Sequence, residues 1–316
     1  MEVALSAPAH YRPWSKGVYD VSPNLKPLGT NFGNGEADRH FAQIDTDFDR
    51  YRQNRLASYR ECRDKYFATE SLPSHLLSHV YEVLSRRLRD DHPEFFDSDG
   101  ESFASNLSGE RFFYSAGKFD RGNLPEGIDH PLEALVWQIQ ADFALVHRTP
   151  DGRDRIVTIL VTAPSHWRPQ DKLGLSFFES HQVVPGFERI NATAPKMVDA
   201  MISKGPFVRF VWGIDSDDRL NHHPDPPPGE DPITWKGRQF ETGDLWVRYE
   251  RQTLLGVPEA NAGIFLIHAK TLPVSQLTPD ERLTLRSAVV SMSDQALAYK
   301  GFAGGRQYLL NRLLKN

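Results

Sequence analysis

The chain has 316 residues, of which 39% are hydrophobic and 25% charged, enough to bury a sizeable core as one large domain or two modest ones. Its 42 acidic residues against 37 lysines and arginines give a formal net charge of −5, which offers no support for a nucleic-acid binder. The single cysteine, Cys62, excludes an internal disulfide framework and a cysteine-ligated iron–sulfur cluster within this chain. No apolar run approaches the length of a membrane span, and no basic-then-apolar leader opens the sequence, so a soluble, cytoplasmic protein is expected.

Residues 1–43 read as an irregular arm, punctuated by Pro8, Pro13, Pro23 and Pro27, whose Tyr11, Trp14 and Tyr19 give it enough apolar mass to wrap a body. Residues 44–316 read as a single α+β unit. Ile44, Phe48, Tyr51, Tyr59, Cys62 and Tyr66 recur at helical steps over 44–66, with Cys62 expected in the core and arginines on the other side. A second helix is predicted from Ser71 or Pro73 to about Arg89, ended by His92-Pro93. The stretch 97–130 reads as a polar, glycine-containing connection anchored by Phe103, Phe112, Phe113 and Phe119. His130-Pro131 then opens a helix toward Phe143, whose last residues alternatively begin a strand.

Ile156–Thr162 is the clearest strand, and Phe207–Trp212, Leu245–Gln252 and Ala262–Ala269 are further candidates. Alternation in the third of these puts Arg248 and Glu250 together on one face of a packed strand. Thr278-Pro279-Asp280-Glu281 is a capping box that starts a helix running through Leu297, and a glycine-rich break precedes a last short helix. Helices, a sheet of about five strands, then helices again: the class is α+β, without the regular βαβ spacing of a nucleotide-binding fold.

The common chemical signatures are absent: no GxGxxG after a strand, no P-loop, no GxSxG, HExxH or CxxC. His75 and His79 are four residues apart, and His222-His223-Pro224-Asp225 contains ligand types, but both pairs read better as ordinary polar histidines. His181 stands out. It follows Phe177-Phe178 and precedes Val183-Val184-Pro185-Gly186, the surroundings that an axial histidine to a porphyrin iron requires. From spacing alone a capping or core histidine is the better reading.

Two segments carry a wider resemblance: Pro164–Gly186 (PSHWRPQDKLGLSFFESHQVVPG) and Tyr249–Pro258 (YERQTLLGVP), extended by Ala262–Thr271 (AGIFLIHAKT). With these pieces in this order, the chain resembles the haem-dependent oxidative N-demethylase family, α-subunit-like proteins. The resemblance implies a PAS-like antiparallel β-sheet wrapped by N-terminal and C-terminal helices and holding haem b. It implies O2-dependent oxidation of a small secondary amine, with NADPH-derived electrons delivered by a separate flavin/ferredoxin-type electron-transfer partner. By the same resemblance His181 is the proximal iron ligand, Glu250 is the candidate catalytic carboxylate facing the substrate amine, with a charged network or a solvent position as its alternative, and Arg248 and Arg251 are cofactor-binding candidates for the haem propionates.

The chain departs from the family pattern at His181-Gln-Val-Val-Pro, at Leu255-Gly256 and at His268-Ala269-Lys270, so its substrate need not be dimethylamine. A haem-dependent monooxygenase is the leading reading. A haem-binding, PAS-like sensor or redox-responsive module without turnover is the alternative, and a haem-free homologue the third; fold alone does not separate them. No nucleic-acid or membrane partner is expected. Arg52, Arg55, Arg60 and Arg63 are a candidate docking face for an acidic electron-transfer protein, set against the ordinary reading of a solvated helix face.

Overall fold

The computed structural model describes residues 4–186 and 194–314. Strands are numbered β1 (Lys26–Pro27), β2 (Phe67–Thr69), β3 (Phe96–Ser98), β4 (Ser102–Ser105), β5 (Arg111–Ser115), β6 (Lys118–Asp120), β7 (Asp142–Arg148), β8 (Asp154–Leu160), β9 (Phe207–Asp215), β10 (Trp246–Val257) and β11 (Ala262–Pro273). Helices are α1 (Phe48–Cys62), α2 (Ser74–Asp91), α3 (Pro131–Val136), α4 (Phe177–His181), α5 (Ala194–Ser203), α6 (Pro232–Trp235), α7 (Pro279–Val290), α8 (Asp294–Tyr299) and α9 (Arg306–Arg312). The architecture is α+β, built on two antiparallel sheets.

The larger sheet runs β1-β9-β10-β11-β7-β8-β2 and the smaller β3-β4-β5-β6. At the centre of the large sheet, β10 and β11 form a long hairpin paired from Trp246↔Pro273 to Val257↔Ala262, with β9 on one side and β7 on the other. Because side chains alternate across a strand, each face has its own partners. On one face Leu145, Phe143, Ile264 and Leu266 pack with α1, α2 and α3 in the main core, while Tyr249, Val247 and Trp212 pack with Tyr11, Trp14 and the C-terminal helices. The other face presents Ala144, Val146, Leu254 and Ile267 to Phe177 of α4 and to Val198, Met201 and Ile202 of α5.

The N-terminal arm wraps as its aromatic residues predict: Trp14 is fully buried, and Tyr11 donates from its hydroxyl to Asp38 Oδ1 at 2.9 Å. Four departures from the sequence reading have plain causes. Cys62 is exposed, because it is the last residue of α1 and turns away from the core that Tyr59 and Tyr66 enter. Residues 96–120 form the small sheet, with Phe96, Phe103, Phe112 and Tyr114 buried as alternate residues of very short strands. The predicted helix into Phe143 stops at Val136, and β7 takes Phe143. The predicted helix from Thr278 to Leu297 breaks at Ser291, where Ser293 caps a second helix by accepting from Ala296 N at 3.2 Å.

Gly256 lets α5 sit directly on β10: a Cβ there would stand 2.1 Å from the carbonyl oxygen of Ile202. Gly256→Ala is therefore expected to push the helix off the strand, with a loss of about 1–3 kcal/mol typical of overpacking. Thermal unfolding checks it, and an unchanged melting temperature would mean that α5 does not rest there. No helix among the described residues is long and apolar enough to cross a membrane.

Candidate functional site

The single turn of α4 is fixed at its start by a capping box. Ser176 Oγ accepts from Glu179 N at 3.1 Å, and Glu179 Oε2 accepts from Ser176 N at 2.8 Å. Phe177 N adds a 2.7 Å bond to Asp154 Oδ2 of β8, so the turn is tied to the sheet edge. His181 closes the turn. Its Nδ1 lies 2.7 Å from Phe177 O and 2.9 Å from Ser180 Oγ. A carbonyl oxygen only accepts, so Nδ1 carries the proton and the ring's lone pair is on Nε2. Burial lowers the His181 pKa to about 4, which keeps the ring neutral at neutral pH. Its ring lies 4.4 Å, centroid to centroid, from that of Phe177, which belongs to the apolar cluster on the sheet against which Leu173, Phe178 and Val184 also pack.

On that same face β10 presents Arg248, Glu250 and Gln252 in succession. Glu250 is 8% exposed, and both carboxylate oxygens are engaged: Ser165 Oγ donates to Oε1 at 2.8 Å and Gln252 Nε2 to Oε2 at 2.7 Å. Arg248 stands behind this pair. Its Nε donates to Ser165 Oγ at 2.7 Å, and its Nη groups donate to the carbonyls of Ala163, Arg219 and Leu220 at 2.6–3.1 Å. The guanidinium thus pins two loops and orients the serine that holds Glu250.

Arg251 points the opposite way. Strand alternation sends it to the other face, where its guanidinium donates to His40 O at 2.7 Å and Phe41 O at 3.3 Å. Arg251, named from the resemblance as a candidate for the haem propionates, thus has its guanidinium on backbone carbonyls of the face opposite Glu250. The arginine docking face is corrected. Arg52 pairs with Glu110, buried Arg55 donates to the carbonyls of Val136, Ile139 and Ala141, and Arg63 grips Glu133 through two 2.8 Å bonds. Of the four, only Arg60 is exposed.

Two cations absent from the sequence reading feel the charge of Glu250. Arg209 of β9 lies across from Gln252 in the sheet register, and among the described residues its guanidinium has no hydrogen bond or ion pair; its Nε is buried without a partner. By that register Arg209 stands on the same face of the sheet as Glu250 and Gln252. Lys300 follows α8. Its ammonium lies over the rings of Tyr19 and Tyr299 at 5.9 and 5.8 Å and has no carboxylate within ion-pair distance among the described residues. Burial brings its pKa down to about 8, against the opposing pull of Glu250. A lone arginine in the apolar run Phe207-Val-Arg-Phe-Val211 was the available signal for Arg209; nothing local marks Lys300.

Beside Glu250, Ser165 is followed by His166, whose Nε2 lies 3.0 Å from Asp215 Oδ1; His222 Nδ1 lies 3.8 Å from Asp215 Oδ2. These three groups can converge on one ion, which gives the chain a metal-binding capacity. Of the histidines weighed from sequence, His222 enters this cluster. Asp225 instead binds Arg168 through bonds of 2.6 and 2.7 Å, and His79 Nδ1 meets the backbone carbonyl of His75 at 2.7 Å.

The residues present fit the haem that the family resemblance implies. A neutral histidine with its lone pair on Nε2 stands against the Phe177 ring, beside the apolar cluster to which that ring belongs, and a porphyrin face needs apolar surroundings of this kind. Arg209 and Lys300 are two cations with no ion pair among the described residues, and haem b carries two propionates. A family model described as haem-dependent oxidative N-demethylase, alpha subunit-like, matches residues 35–310. A search of curated proteins found no match.

Proposed function

The chain belongs to the haem-dependent oxidative N-demethylase, alpha subunit-like family and is an oxidoreductase of that kind, and we propose that it removes a methyl group from a small amine within a PAS-like, haem-binding sheet. The antiparallel order β9-β10-β11-β7-β8, with α4 and α5 on one face between β8 and β9, supports the PAS-like reading. In the overall change an N-methylamine, one molecule of O2, a pair of electrons and a pair of protons become the demethylated amine, formaldehyde and water. The methyl carbon is oxidised, the C–N bond breaks, one oxygen atom of O2 ends in formaldehyde and the other leaves in water. The electrons come from NADPH through a separate flavin/ferredoxin-type protein.

The observation that carries this reading is the shared face of the sheet: β10 presents Glu250, and β9 Arg209, on the side where Phe177 of α4, the helix that His181 closes, is packed. His181 would hold the iron through Nε2, and Arg209 and Lys300 would meet the propionates. When bound, haem supplies the reductive activation of O2. Glu250 does the work at the amine. Its two fixed hydrogen bonds leave lone pairs on both oxygens, so it can accept an N–H from the ammonium and take its proton, leaving the nitrogen neutral. Ser165, itself held by Arg248, keeps that carboxylate oriented.

The test is formaldehyde release from a panel of N-methylated amines, supplied with a reducing system and measured against O2 consumed. The account expects at least one amine to give formaldehyde and O2 uptake in equal amounts. Reduction of oxygen without formaldehyde for every amine would favour the sensor or redox-module reading.

A further inference from the structure

Two loops meet at the end of β9. Residues 165 and 222 form a parallel backbone bridge, in which His166 N donates to His222 O and His222 N to Pro164 O, both at 3.1 Å. His166 has φ +66°, a left-handed conformation that is costly for a non-glycine residue. Its ring lies over that of His222 with centroids 5.0 Å apart. Asp215, the last residue of β9, brings one oxygen to within 3.0 Å of His166 Nε2 and the other to within 3.8 Å of His222 Nδ1.

The hydrogen bonding of His222 is the informative part. Its Nε2 lies 2.9 Å from Asp217 Oδ1. Asp217 also accepts from the Arg219 guanidinium, Nη to Oδ2 at 2.9 Å, as a carboxylate does, so it is the acceptor toward His222 as well and Nε2 carries the proton. In the neutral ring the lone pair is then on Nδ1. That atom is completely buried, has no hydrogen-bond partner among the described residues, and faces the Asp215 carboxylate. Two electron-rich atoms 3.8 Å apart in a buried place are unfavourable unless a cation lies between them. Gly237 seals the far side: at φ +59° its missing Cβ would stand 2.6 Å from His222 Nε2 and 2.7 Å from Asp217 Oδ2.

We propose that His166 Nε2, Asp215 and His222 Nδ1 bind one divalent transition-metal ion of the zinc(II) or iron(II) class, with Asp217 as the carboxylate that orients His222. Two imidazole nitrogens and one carboxylate oxygen suit borderline ions rather than magnesium or calcium. The three donor atoms lie within 4.8 Å of one another, so bonds of about 2.0–2.2 Å need only a small contraction. A ligand histidine that gives its other N–H to a carboxylate is the usual arrangement around such ions. Arg238 Nε now donates to His166 Nε2 at 3.2 Å; on binding the ion it gives up that contact and keeps its bond to the carbonyl of Lys300. The His166 side chain keeps 21% of its surface accessible, which leaves a route in for the ion and for water ligands. The ion would tie together the loop that holds Ser165, the end of β9 and the loop after it.

Equilibrium dialysis of the full-length protein against zinc(II), with metal quantified per chain, tests this with and without haem added, so the result stands apart from the haem reading. The site predicts one zinc per chain at low micromolar free metal. His166→Ala, a partly exposed loop position that should fold normally, is expected to weaken binding at least tenfold, and Asp215→Asn to abolish it. Asp217→Asn should weaken it by about 10–100-fold, the range for such orienting partners. Failure of the wild-type chain to take up zinc at 100-fold higher free metal, or equal uptake by His166→Ala and Asp215→Asn, would overturn the proposal and leave a hydrogen-bonded cluster.

Discussion

His181→Ala is expected to abolish stoichiometric haem binding while leaving the fold in place. The wild-type ring is positioned by its own helical turn through Nδ1, which leaves Nε2 as the donor atom, and its neutral form is favoured by burial. Alanine removes that donor but keeps the capping box of Ser176 and Glu179 and the apolar packing of Phe177, so α4 has no reason to unfold. The measurement is the haem-to-protein ratio together with circular dichroism. Added imidazole should restore part of the haem signal in the alanine variant, because the vacated space is the size of the ring it replaces. A variant that keeps full haem with an unaltered spectrum would assign the axial bond to another residue.

Glu250→Gln is expected to leave the haem spectrum unchanged and to lower turnover by about 10²–10⁴-fold, the range for loss of a positioned proton acceptor. The substitution conserves size and can still accept from Ser165 at Oε1, so packing is preserved. It removes the negative charge that attracts an ammonium and the basicity that accepts its proton. The two contributions separate in the pH profile. If proton removal is the essential part, raising the pH toward the free amine's own pKa should recover a share of the glutamine variant's rate, and the wild type should gain less. Undiminished turnover with a substrate that releases formaldehyde would remove Glu250 from the chemistry.

His181 and Glu250 stand out in the sequence because each sits in a contiguous stretch with a distinctive pattern, Phe-Phe-Glu-Ser-His before Val-Val-Pro-Gly and a charged alternation in a strand; their roles rest on the proposal and its tests. Parity along β10 also told which face Glu250 would share with Arg248. The same parity sends Arg251, one residue on, to the opposite face. Arg209 and Lys300 come from β9 and from the turn after α8, brought to the site only by sheet register and by the docking of the C-terminal helices. No local pattern encodes such a convergence. The small sheet was illegible for another reason: strands of three to five residues among serines and glycines hold too few alternations to separate them from a loop.

The arginines of α1 illustrate the limit of composition. Arg55 and Arg63 look like a solvated stripe, yet one is buried against three backbone carbonyls 2.6–3.1 Å away and 3.6 Å from Asp142, and the other holds the fully buried Glu133. A charge whose partner is a distant carbonyl or carboxylate reads the same in sequence as one facing water.

The most direct test of the central claim is an anaerobic absorption spectrum of the purified chain, supplied with haem, in its oxidised, dithionite-reduced and carbon monoxide-bound forms. The account predicts a stoichiometric Soret band that shifts on reduction and again on carbon monoxide binding, as for a histidine-held iron with an accessible second side. A featureless spectrum after haem reconstitution would contradict it.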